Sequence, residues 1–84
     1  MDRKPTYVKW IDSRGVNEHW QRMSDIGGEP VDCCIIESIG FVVREDANGI
    51  HLAAHVGFDG EDSQFCGDMQ IPLVCIIERK ELDL

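Results

Sequence analysis

The sequence predicts a mainly β fold: a small, strongly bent, five-stranded antiparallel barrel with one short helix near residues 17–25. Three observations lead there. In "GIHLAAHVGF", residues Ile50, Leu52, Ala54, Val56 and Phe58 all fall at even positions and leave His51, Ala53 and His55 on the other face, the period of a strand. In the run "VDCCIIESIGFVVRE", the odd positions Val31, Cys33, Ile35, Ile39, Phe41 and Val43 form an apolar face, and Gly40 sits in its middle. A glycine there permits the sharp bending that curved barrel strands require. Turn chemistry separates all these runs at short intervals, and Pro72 breaks the chain before the last one.

The elements follow in order. "TYVKWID" over 6–12 reads as the first strand, with Val8 and Trp10 on one face and Tyr7, Lys9 and Ile11 on the other. "DSRG" ends it, because Asp12 and Ser13 can hydrogen-bond the backbone ahead and Gly15 tolerates positive φ. Trp20, Met23 and Ile26 recur every three residues, and Asn17 is placed to cap a helix of at most two turns. Gly27-Gly28-Glu29-Pro30 stops it. Residues 31–45 then form one bent strand, or two meeting near Ser38–Gly40. "EDANG" supplies a hairpin connection in which Asp46 and Asn48 bond locally and Asn48-Gly49 takes positive φ. After the return strand, "DGEDSQ" makes an acidic exposed turn, and "FCGDMQI" alternates Phe65, Gly67, Met69 and Ile71 against Cys66, Asp68 and Gln70. "IPLV" is a short break of 3₁₀ type, and "VCIIERKEL" closes the fold. With no repeat or linker, residues 1–84 read as a single domain with a thin core, one that buries roughly 60–65% of the unfolded chain's surface.

Sixteen acidic against eight basic side chains give a formal charge of −8. That field repels phosphate backbones, so no direct nonspecific nucleic-acid binding is expected. Arg3, Lys4, Lys9, Arg14 and Arg22 are scattered, and Arg79-Lys80 is flanked by Glu78 and Glu81. The acidity keeps the chain in solution, or draws it to a basic partner surface. No signal peptide and no membrane-spanning run is read, so a cytoplasmic location without a membrane partner is expected. In that reducing compartment Cys33, Cys34, Cys66 and Cys75 read as small buried or half-buried thiols.

The strand order resembles that of Sm-like and SH3-like small β-barrels. Over residues 31–80, Gly40, Val42, Asp46, Ile50 and Leu52 match the Sm-like spacing if one loop is a residue shorter. Gly49 then stands where that family has an asparagine, and Ile71-Pro72 replaces its Ile-Arg-Gly element. Those two departures remove the residues of the family's uridine pocket, so the resemblance implies the fold and edge-to-edge assembly without the RNA site. A second resemblance is to small proteins of tailed phages and prophages. It rests on "WIDS" at 10–13, Trp20, "SIGFVVRED" at 38–46, "LA" at 52–53, and "IP" followed by Ile76 and Ile77. It implies a phage setting, in the host bacterial cytoplasm, rather than an activity.

Site chemistry is sparse. His51 and His55 share a strand face, but four residues of extended chain place them about 13 Å apart, too far for one zinc ion. Cys33-Cys34 point to opposite faces, and no C-x-x-C, phosphate loop or nucleophile elbow occurs. Cys66 beside His51 or His55 is the one nucleophile arrangement available. No enzyme activity and no cofactor are expected. The candidate ligand- or partner-binding residues are His51, His55, Glu45, Asp46, Asn48 and Trp20. The expectation is a homo-oligomeric phage or prophage binding protein in counter-defence, one that holds a host protein or sequesters a nucleotide-type signal. The alternatives are a structural or assembly module without a host target and an acidic nucleic-acid mimic.

Overall fold

A computed structural model describes residues 4–15 and 19–83, with Asp59 given by its backbone. The chain is mainly β, with five antiparallel strands in one open sheet. They are β1 (Thr6–Asp12), β2 (Cys34–Asp46), β3 (Gly49–Asp59), β4 (Asp62–Pro72) and β5 (Ile76–Glu81), in the spatial order β4-β3-β2-β1-β5. Among the described residues no ladder joins β4 to β5, so the expected closed barrel is an open sheet with two free edges.

Gly40 explains how one sheet encloses a core. Up to Gly40, β2 pairs with β1, from Asp12↔Cys34 to Thr6↔Gly40; from Phe41 onward it pairs with β3. A Cβ on Gly40 would lie 2.7 Å from the Ala53 carbonyl oxygen and 2.9 Å from Leu52 Cγ, so only glycine lets the strands approach there. The sheet folds about this point. Val8, Trp10 and Ile76 on one half then face Ile50, Leu52, Ile71 and Val42 on the other, with Cys75 beside them. Val8 and Ile71 are fully buried, and burying each such side chain contributes about 1.5–3 kcal/mol. The Trp10 indole Nε1–H donates to Ser38 Oγ at 3.1 Å, which satisfies the one polar atom of that ring.

Four sequence expectations need correction. Before Gly40 the inward face of β2 is the even one, Cys34, Ile36 and Ser38, while Ile35 and Ile39 are 57% and 65% exposed. Periodicity fixes which residues share a face; the pairing with Thr6, Val8 and Trp10 decides which face is inside. Past Ala53, β3 loses β2 as a neighbour, so 54–67 continues with β4 as a two-stranded arm on which Ala54 and Phe58 are exposed. Between residues 19 and 25 there is a single 3₁₀ turn, Met23–Asp25, in place of the helix; Asn17, its expected cap, lies outside the described residues. Trp20, Met23 and Ile26 are exposed rather than packed, and so short a helix is unstable without packing. Finally, Cys34 and Cys75 are half-buried as expected, but Cys33 and Cys66 are exposed; all four are free thiols.

The connections follow local chemistry. Gly60, at φ +62°, takes the first position of the two-residue β3–β4 turn, the pattern of a type II′ hairpin. Pro72 ends β4, and the 3₁₀ turn Leu73–Cys75 carries the chain to β5, as the sequence predicts. Among the described residues no helix is long and apolar enough to cross a membrane.

Candidate functional site

The β2–β3 turn is a two-residue connection, Ala47–Asn48, held from both sides. The Asn48 N–H donates to Asp46 Oδ1 at 2.8 Å, and the Leu73 N–H donates to the Asn48 carbonyl at 2.8 Å. Neither Asn48 nor Gly49 adopts the positive φ expected from the sequence. Gly49 serves another purpose. A Cβ there would sit 2.2 Å from the Ile71 carbonyl oxygen, so the glycine lets β3 lie against the end of β4.

Three cross-strand rows meet beside this turn: Arg44–His51–Gln70, Glu45–Ile50–Ile71 and Asp46–Gly49–Pro72. A bulge sets the first of them. The β2–β3 register slips by one residue between Val42 and Arg44, which leaves Val43 unpaired and puts Arg44 opposite His51. Together with Asn48, these residues line a cavity of about 400 Å³. Ile50 and Ile71 reach its lining too, although their side chains are buried in the core on the face opposite Arg44, His51 and Gln70.

Charge in the cleft is unevenly committed. Arg79 on β5 reaches across the folded sheet to Glu45, with Nη1 at 2.6 Å and Nη2 at 3.3 Å from its two oxygens. That fork holds the Glu45 carboxyl below the usual carboxylate range, first through the hydrogen bond and then through the opposite charge. Asp46 is occupied by the Asn48 amide. His51 Nε2 lies 2.5 Å from Asp68 Oδ2, and this bond holds the Asp68 carboxyl low. The Arg44 side chain makes no hydrogen bond or ion pair among the described residues. The cleft therefore offers one uncommitted cation beside the Asn48 and Gln70 amides.

The arm closes on the same histidine. Phe65 pairs with Val56, five residues beyond the His51 row, about 16 Å along a straight strand. Its ring nonetheless meets His51 edge-on, with centroids 5.4 Å apart and planes at 83°. A sharp bend between the two is required, and Gly67 supplies it at φ +64°. His51 is left only 14% exposed.

Of the six residues singled out from sequence, Glu45, Asp46, Asn48 and His51 line the cleft. His55 lies on the arm opposite Cys66, and both are exposed. Trp20 stands fully exposed in the β1–β2 connection. Among the described residues no three His, Cys, Asp or Glu side chains gather as a metal site. Sequence reasoning missed Arg44, Gln70, Arg79 and Asp68. Only the register and the Val43 bulge bring them in, and no local signal announces either. Comparison with protein-family models, curated proteins and solved structures returns no match.

Proposed function

We propose that this chain is a non-enzymatic binding module of phage or prophage origin, which assembles with copies of itself in the host cytoplasm and holds a host component. Counter-defence is its setting. The observation that carries the reading is the shape of the chain. Its radius of gyration is 17.4 Å, whereas a compact domain of this length has about 12 Å. Among the described residues thirteen large hydrophobic side chains are exposed, while the buried apolar core has five members, Val8, Ile50, Leu52, Ala53 and Ile71. Exposed strand edges and exposed apolar surface together are templates for association. A small barrel of the Sm-like kind, completed edge to edge by neighbouring copies, fits the bend at Gly40 and the free edges of β4 and β5.

Within such an assembly the cleft suits a nucleotide-type ligand. An aromatic ring system fits against Pro72, and its polar groups meet Arg44, Asn48 and Gln70. A second reading, capture of a basic host protein, is supported by the charge of −8 and by Glu61 and Asp62 at the tip of the arm. Light scattering across the micromolar range tests the shared premise. The proposal expects a mass that is a multiple of 9.5 kDa, and a strict monomer contradicts it. Titration with nucleotides and with basic proteins at low and high salt separates the two occupants, because exposed charge attraction is screened.

A further inference from the structure

The segment between β1 and β2 is long for a compact domain, and connections of such length usually serve a function. Its two ends are tied, since Arg14 lies 3.7 Å from Asp32 at the neck. Every described residue from 19 to 33 is exposed. Trp20, Met23, Ile26 and Val31 are 103%, 83%, 65% and 96% exposed, although each would gain by burial. Tryptophan and methionine are enriched at interface cores, and an exposed tryptophan of this kind is the usual anchor of a contact.

The neck opens beside an unpartnered face. On the outer side of β1 and β2, Ile11 lies opposite Ile35 and Tyr7 opposite Ile39; all three isoleucines are exposed. Between these two apolar rows runs a charged one, with Lys9 opposite Glu37 on β2 and Glu78 on β5, which leaves an acidic excess. Arg22, in the segment, makes no ion pair among the described residues. Ile35 and Ile39 are about 13 Å apart along the strand. The stretch from Trp20 to Ile26 spans about 9 Å when helical and about 20 Å when extended, so it can bridge them.

We infer that residues 19–26 dock on the outer β1–β2 face of a second copy, with Trp20 and Met23 on the isoleucines and Arg22 against Glu37 and Glu78. The exchange is reciprocal. A two-fold axis places each copy's segment on the other's sheet, as isologous interfaces require. The same packing gives Trp20, Met23 and Ile26, spaced every three residues, the support that their helical period lacks in the isolated chain. This inference rests on the proposal that the chain associates with itself.

The experiment uses the full chain and the variants Trp20→Ala/Met23→Ala and Arg22→Glu, all at exposed positions. Mass is read by light scattering, and the environment of Trp20 by the fluorescence difference between wild type and Trp20→Phe, with acrylamide quenching. The expected result is a shielded, blue-shifted Trp20 at concentrations where the chain associates. The double variant and Arg22→Glu should weaken association about tenfold or more while the β signature in circular dichroism is kept. An associated wild type whose Trp20 quenches as freely as in a short peptide overturns the docking but leaves self-association standing. Variants that associate as tightly as wild type do the same, and a monomeric wild type overturns both.

Discussion

Replacing Gly40 with alanine tests the hinge on which the folded sheet depends. The added methyl carbon would stand 2.7 Å from the Ala53 carbonyl oxygen and 2.9 Å from Leu52 Cγ, closer than real Cβ atoms come. Leu52 can give way only into the core, where it is 4% exposed, and the Ala53 carbonyl belongs to the backbone of a central strand. Overpacking of this kind costs about 1–3 kcal/mol. In a domain of this size each kcal/mol lowers Tm by roughly 4–8 °C. Gly57→Ala is the control, because nothing lies within 4 Å of its added carbon and its φ is not positive. Both substitutions remove similar freedom from the unfolded chain, so their difference isolates the close contact. Thermal melts of both variants at one protein concentration should place Gly40→Ala well below wild type, and Gly57→Ala level with it or slightly above. Two variants melting within about 2 °C of each other would refute the close approach at Gly40.

Ile71→Ala removes a core side chain that is 1% exposed and should cost about 2–5 kcal/mol in urea denaturation; a loss below about 1 kcal/mol would show that the two halves of the sheet do not meet there. Glu45 and Asp68 both have carboxyl groups held below their unfolded range, by Arg79 and His51 respectively. What they contribute to stability is therefore complete above about pH 5 and is lost as pH falls through their lowered values. Carbon-detected NMR titration should find both midpoints below those of ordinary carboxyls, and Arg79→Ala should return Glu45 to its ordinary range. Ordinary midpoints in the wild type would contradict the Arg79 fork and the His51 bond.

How far the sequence reveals this fold differs from strand to strand. β1, β3 and the break after Pro72 are legible, because alternation and proline act locally. The face of β2 is not. Ile35 and Ile39 look more like core than Cys34 and Ser38, and only the pairing of Ser38 with Val8 reverses the reading. The apolar period at Trp20, Met23 and Ile26 suggests a helix, yet all three side chains stay exposed. At the cleft, Asp46 and Asn48 are marked by turn chemistry and His51 by its type. Arg44 enters only because a bulge at Val43 rotates it opposite His51, and Arg79 because the sheet folds back on itself. Long-range register of this kind leaves no periodic trace.

Native mass spectrometry of the protein as purified from cells reads self-assembly and bound ligand together. The expected result is a discrete multiple of the 9.5 kDa chain, two copies or more, heavier by a nucleotide-sized ligand when the cleft is loaded. A lone 9.5 kDa species at micromolar concentration, with nothing bound, would contradict it.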